Sequence, residues 1–177
     1  MRIISGSFRG KIIEAPHTLP VRPTTDFAKT ALFNILSNHF ELENCTVLDL
    51  YAGTGNISYE FISRGALSTM SIDNNAQCVN FIRATAEKLK ANNMSVVKAD
   101  CLKYICECKT AYDIIFADPP YNSTPFEKLV EHVFECKLLK PNGWLVLEHS
   151  SKKELPIKTY WKETRVYGAV AFSIFVL

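Results

Sequence analysis

Asp118-Pro119-Pro120-Tyr121 joins a carboxylate, two rigid prolines and an aromatic ring in four consecutive residues. The motif directly follows the apolar run Ile114-Ile115-Phe116-Ala117, which reads as a buried strand. At the carboxyl end of a strand, this set suits a flat, amine-bearing ring. An exocyclic amine is a poor nucleophile because its lone pair is delocalised into the ring. A carboxylate and a backbone carbonyl placed at its two hydrogens help localise that pair. Proline fixes the backbone and has no N–H, so the loop presents acceptors rather than donors. Tyr121 adds a stacking face. Pro-Pro also ends strands in many proteins, so by itself the motif reads equally as a turn.

Val47-Leu48-Asp49-Leu50-Tyr51-Ala52-Gly53-Thr54-Gly55-Asn56 runs from a strand into a glycine-rich turn. Gly53 and Gly55 allow a sharp turn and a close approach of backbone to a ligand. A dinucleotide-binding loop would place a third glycine at Ser58 and a pyrophosphate at the following helix N-terminus. An inward Asp49 would repel those phosphates. A cofactor with a cationic amino-acid end and no phosphate tolerates it, and S-adenosylmethionine, with its ammonium and sulfonium, fits. Asp73 ends the second strand, the usual place for a ribose-hydroxyl acceptor. Asp100, with Cys101 beside it, is placed to accept from an adenine amino group. Each acid alone is commonly a helix cap. Three acids at three successive strand ends around one glycine loop point jointly to a methyl-donor site.

The elements that must position these residues alternate. Strands are expected over 46–51, 68–73, 95–98, 113–117 and 144–148, with a turn at Lys140-Pro141-Asn142-Gly143 before the last. Helices are expected after the glycine loop to about Gly65, then over 76–92, 102–108 and 125–137. Residues 161–167 and 169–177 read as two strands joined tightly at Gly168. Such alternation implies a parallel sheet covered on both faces, and the final pair implies an antiparallel member at its end. Ligands on such sheets bind outside the carboxyl ends of the strands. Ahead of this core, 2–5 and 11–14 are β-prone around Gly6 and Gly10 and suggest a small hairpin. A proline-bearing loop, 15–23, leads to a helix capped by Thr24 or Thr25 with an apolar face of Ala28, Ala31, Leu32, Ile35 and Leu36.

The bulk numbers exclude more than they select. A chain of 177 residues suits one domain, and 47% hydrophobic against 21% charged residues is ordinary for a soluble fold. A net charge of +2 argues weakly for a polyanion partner, but Arg2, Arg9, Lys11 and Arg22 face only Glu14 in the first stretch. The six cysteines contain no C-x-x-C, and Cys106-Glu107-Cys108 has no companion pair at zinc-ligand spacing. Reduced thiols in a cytoplasmic protein without a bound metal are therefore expected. No secretory or membrane-spanning run occurs, and the four scattered histidines receive no role.

At this point the residues resemble a known family. The segment Leu48 to Gly55 is similar to motif I of class I S-adenosylmethionine-dependent methyltransferases. Asp118 to Tyr121 looks like the (D/N)PP(Y/F) motif of those that methylate exocyclic amines. Arg2-Ile3-Ile4-Ser5-Gly6, Arg9-Gly10-Lys11, Arg22-Pro23-Thr24-Thr25-Asp26, Leu32-Phe33-Asn34-Ile35-Leu36 and Ser63-Arg64-Gly65-Ala66 resemble the RsmD family. The resemblance covers essentially the whole chain. It implies a single methyltransferase domain over 1–177, with the hairpin and RPT loop in 1–23 and the catalytic core in 24–177. The implied fold is Rossmann-like: a mostly parallel seven-stranded sheet, an antiparallel C-terminal strand, helices on both faces and a small N-terminal β-hairpin.

The family also implies roles. Its members methylate N2 of a guanine in 16S ribosomal RNA, so the implied partner is that RNA or a small-subunit assembly intermediate. Asp118 and the Pro119 carbonyl would bind the guanine amine, Pro120 would stiffen the loop, and Tyr121 would stack on the flipped base. Asp49, Tyr51, Gly53, Gly55 and Asn56 would line the methionine end of the cofactor, beside the adenosine site read above from Asp73, Asp100 and Cys101. Arg22 and Thr24 would close over the site, while Arg2, Arg9 and Lys11 would meet RNA phosphate. Three positions depart from the family pattern. Ser71 stands where an acid is frequent, which bears on the ribose contact, and Phe27 and Thr30 replace the usual Arg and Glu. No Pro-Cys dipeptide occurs, so C5 methylation of pyrimidines lacks its usual carrier. Adenine-N6 methylation of DNA or RNA, and a non-catalytic RNA-binding assembly factor, stay open as alternatives.

Overall fold

The computed structural model describes residues 1–16, 19, 25–120, 125–153 and 155–177. Helix α1 spans Asp26–Ser37, and Thr25 caps it by accepting the Ala28 N–H at 3.2 Å. A short 3-10 turn, Leu42–Asn44, leads into strand β1, Thr46–Leu50. Then follow helix α2 (Asn56–Ser63), β2 (Ser68–Asp73), α3 (Ala76–Leu89), β3 (Met94–Lys98), α4 (Cys101–Glu107) and β4 (Tyr112–Ala117). Helix α5 (Phe126–Glu135), β5 (Leu139–Ser150), β6 (Trp161–Tyr167) and β7 (Val170–Phe175) complete the order.

The strands form one sheet in the order β3-β2-β1-β4-β5-β7-β6. The first five run parallel, while β7 pairs antiparallel with both β5 and β6. Side chains alternate across the sheet and bury both faces. Leu48, Leu50, Ile115 and Ala117 pack beneath α4 and α5 with Ile105, Leu129 and Val133. Val47, Ile114, Phe116 and Val146 pack on the opposite face with Leu32, Phe33 and Leu36 of α1 and Phe61 of α2. Helix α3 sits beside α2, where Ile82 meets Tyr59. The order reverses between β1 and β4, so the crevice outside those strand ends is the natural ligand position.

The structure differs from the sequence expectation in two places. The N-terminal hairpin is present but short: the antiparallel bridge of Arg2 with Ile12 is flanked by cross-arm hydrogen bonds from the Met1 amino group to the Ile13 carbonyl, from Ile13 N–H to Met1, from Ile3 N–H to Lys11 and from Gly10 N–H to Ile3, at 2.9–3.0 Å. Other amides of the arm go to helix α2. Ile4 and Ser5 donate to the Glu60 carboxylate at 2.8 and 3.0 Å, and Ser7 and Phe8 donate to Ser63. The arm is thus paired with itself along one edge and fastened to helix α2 at its tip.

The turn at Lys140 to Gly143 lies inside β5 as an irregularity, with the register shifting between Tyr112 and Ile114. Asn142 takes φ +63°, and Lys140 reaches Asp113 at 2.8 Å. That carboxylate also accepts from the Thr46 amide and hydroxyl at 2.8 Å, so the bulge is fastened to the start of β1.

Candidate active site

The glycine loop is built from the end of β1 outward. Tyr51 and Gly53 take left-handed φ values of +60° and +56°, and Gly55 follows at +76°. A side chain at Gly55 would be strained there, and its Cβ would lie 2.8 Å from the Tyr59 ring carbon Cζ. The loop is tied to neighbouring strand ends. Tyr51 N–H donates to the Cys101 sulfur at 3.3 Å, Ala52 N–H to the Ile72 carbonyl at 3.0 Å, and Gly53 N–H to Asp73 Oδ2 at 2.8 Å. The backbone therefore wraps the carboxyl ends of β1, β2 and β3.

Asp49 lies just beneath this loop and is 1% exposed. Its carboxylate accepts from the Ser58 hydroxyl, and Ser58 also shares a hydrogen bond of 2.7 Å with Ser71. Burial pushes Asp49 up to about 7; the Ser58 hydrogen bonds oppose the shift, and the charges of Asp118 and Asp73 add to it. The register that pairs Leu50 with Ala117 brings the next residues, Tyr51 and Asp118, to the same sheet end. Burial also raises Asp118, to about 6. Pro119 is buried and Pro120 exposed.

Asp49, Asp73 and Asp118 therefore converge on one loop, and among the described residues no ion pair reaches them. Burial holds two of them, Asp49 and Asp118, above the ordinary carboxylate range. A ligand bearing an ammonium and a sulfonium would relieve that cost. The donor set fits S-adenosylmethionine. Among the described residues, no group of three or more His, Cys, Asp or Glu could hold a metal ion. No described helix is long and apolar enough to cross a membrane.

Other expected residues take more local duties. Asp73 Oδ1 accepts the Asn75 amide at 2.8 Å, so this acid braces both the loop and the start of α3. Asp100 is exposed and caps α4 by accepting the Lys103 amide at 2.9 Å. The Cys101 thiol is buried and pushed up to about 12 by that burial, supporting the loop from below. Asn56 turns its carboxamide oxygen to Lys29 Nζ at 2.8 Å. Ser71 is fully buried against Ser58 and Asp49, away from a surface where ribose would lie, so an acid here would confront Asp49. Arg2, Arg9 and Lys11 are exposed on the arm; Arg2 pairs with Asp26 at 3.5 Å, and Lys11 lies over the Phe8 ring. Arg22, Thr24 and Tyr121 lie outside the described residues.

Sequence reading passed over Lys29 and Glu60. Both side chains are 0% exposed and stand 3.6 Å apart. Lys29 Nζ donates to the Arg2 carbonyl at 2.6 Å as well as to Asn56, which joins the arm, α1 and the helix leaving the glycine loop. A lysine on the buried face of an amphipathic helix was the available signal.

The family model described as "Conserved hypothetical protein 95" matches residues 1–176. Ribosomal RNA small subunit methyltransferase D of Buchnera aphidicola subsp. Baizongia pistaciae is 30% identical over 151 residues, covering 85% of this chain and 76% of that protein. The protein of the same name from Escherichia coli K12 is 29% identical over 184 residues, covering 99% and 89%. A solved structure of yhhF from Escherichia coli superposes with a TM-score of 0.87 at 25% identity, covering 99% of this chain and 96% of that one.

Proposed function

This chain belongs to the RsmD family of S-adenosylmethionine-dependent methyltransferases, and from that premise we propose that it methylates the exocyclic N2 amine of a guanine in 16S ribosomal RNA. One observation carries the reading: the half-buried Asp118 carboxyl stands at the end of β4 beside the glycine loop that closes β1. The names of the relatives support ribosomal RNA as the substrate class, and the basic arm supports a phosphate-bearing partner. The whole chain acts as a single methyltransferase domain in the cytoplasm, on the RNA or on an assembling small subunit.

When bound, S-adenosylmethionine supplies an electrophilic methyl group on a sulfonium. Asp49, Tyr51, Gly53, Gly55 and Asn56 would hold its amino-acid end, and Asp73, Asp100 and Cys101 its adenosine side. Asp118 in its carboxylate form accepts one hydrogen of the guanine amine, and the Pro119 carbonyl accepts the other. The two acceptors draw the nitrogen lone pair out of conjugation and aim it along the line of attack. Pro120 stiffens this loop, Tyr121 stacks on the extruded base, and Arg22 and Thr24 close the site. Arg2, Arg9 and Lys11 meet RNA phosphate.

The test uses labelled S-adenosylmethionine with small ribosomal subunits, naked 16S ribosomal RNA and duplex DNA, followed by mass-spectrometric mapping of the methylated nucleotide. N2-methylguanosine in the RNA is expected. Methyl groups on adenine N6, or no turnover on any substrate, would overturn the reading.

A further inference from the structure

A second recess opens further from the glycine loop; His149 brings it to the same end of the sheet, while Trp161, opposite Phe175 and so level with Leu145 of β5, carries it toward mid-sheet. It encloses about 390 Å³ between the segment after β5 and the β6–β7 pair. The register locates it: Ala117, the last residue of β4, is level with Leu147 of β5, and His149 in the recess follows two residues further along β5. The link to the loop is also direct. Lys153 places its ammonium 3.8 Å from the centre of the Phe126 ring, and Phe126 opens the helix that follows Asp118 to Pro120 in the chain.

The floor is polar and already ordered. His149 Nε2 and the Ser173 hydroxyl share a hydrogen bond of 2.9 Å, and Ser173 meets Thr164 at 2.7 Å. Trp161 Nε1 donates to the Thr164 hydroxyl at 3.1 Å, so the relay holds an indole that is 49% exposed at the rim. Burial keeps His149 below its ordinary value despite the Ser150 carbonyl, and Lys153 adds to the effect, so the floor is neutral. Charge sits at the rim, on Lys153 and Lys158, and no described lining residue is acidic. By contrast, the recess beside Arg2 includes Asp26.

A volume in the range of ligand sites, an oriented indole and two ammonium groups at the rim suit one chemistry. We propose that this recess is a second nucleotide subsite, which holds an unpaired nucleotide of the RNA strand a few positions from the target base. Its base lies against Trp161, and its phosphate lies at Lys153 and Lys158. The subsite rests on the RNA reading given above. It fixes the strand on the side of Asp118 away from the cofactor loop, while the N-terminal arm holds phosphates elsewhere.

Binding of 16S ribosomal RNA, measured by filter retention, tests the subsite separately from catalysis, since turnover by the parent protein reports only on the reaction. Trp161→Ala, and Lys153→Glu with Lys158→Glu, should each weaken RNA binding about tenfold, as loss of one stacked base or its phosphate contacts does. S-adenosylmethionine affinity should stay at the parent value. Trp161→Phe, which keeps a ring, should retain most RNA affinity. Lys88→Glu, on α3 near the opposite edge of the sheet, controls for bulk charge. Parent-like RNA binding in both recess variants overturns the subsite, as does an equal loss from Lys88→Glu. Should Trp161→Ala melt early, the two exposed lysines carry the same test.

Discussion

Lys29 and Glu60 form an ion pair at 3.6 Å with neither side chain exposed. Glu60 also accepts the Ile4 and Ser5 amides and the Arg64 guanidinium, the last at 2.8 Å. Burial draws Lys29 below its ordinary value and the Glu60 carboxylate opposes that shift, so the lysine charge depends on its partner. Removing Glu60 leaves the Lys29 ammonium buried without that carboxylate, whereas removing Lys29 still leaves Glu60 with Arg64. Glu60→Gln is expected to lower unfolding free energy by about 3–5 kcal/mol, and Lys29→Met by less. The double variant Lys29→Met/Glu60→Gln should lose less than the two single losses added together. Urea denaturation of the four proteins measures this, and additive losses would show that the pair is not coupled.

Gly6 is where the arm docks on α2. Its φ is +82°, and an added Cβ would lie 1.7 Å from the Ser63 carbonyl oxygen, which is backbone and cannot yield. Gly6→Ala should therefore release the arm, with a conformational cost of roughly 1–2 kcal/mol before the clash is counted. Hydrogen exchange at the Ile4, Ser5 and Phe8 amides should quicken while exchange in β1 and β4 stays slow. Unchanged protection at those three amides would show that the arm does not depend on this glycine.

Asp118 sets the expected pH dependence of turnover. Burial raises it to about 6, and only the carboxylate can accept a hydrogen from the amine, whereas the protonated acid donates. Turnover should rise as pH climbs through about 6 and level above it. Asp118→Ala should cost at least about a hundredfold in rate, in the range of a lost acid–base group, and leave S-adenosylmethionine affinity nearly intact. Full activity in that variant would remove the residue from the reaction.

Asp49 links the site to stability. Burial lifts it from its usual 3.8 to about 7, so the folded protein binds this proton more tightly than the unfolded chain does. Its contribution is therefore largest at low pH and is lost as pH rises from about 4 through about 7. Without cofactor, Asp49→Asn should be more stable relative to the parent at pH 8 than at pH 4. With S-adenosylmethionine present, the variant should lose the ligand-induced rise in melting temperature that the parent shows. Thermal unfolding at both pH values, with and without ligand, checks both signs; a difference independent of pH would contradict the burial argument.

The sequence by itself determined the alternation of strands and helices, the glycine turn after β1 and the acceptor loop after β4. Each of these rests on the chemistry of neighbouring residues: apolar period, glycine conformation, proline rigidity. Thr25 capped α1 and Asp100 capped α4, as adjacent residues can announce. The tertiary structure alone decided where long-range polar groups found partners. The arm amides left over from the short hairpin found Glu60 and Ser63, and Lys140 found Asp113 beside the bulge that stands where a loop was expected. Ser58 and Ser71 closed over Asp49, and His149, given no role by its sequence context, became the floor of a recess. A buried polar group must be satisfied, but its own sequence neighbourhood does not say by whom. That choice belongs to whichever distant groups the sheet and its helices bring within reach.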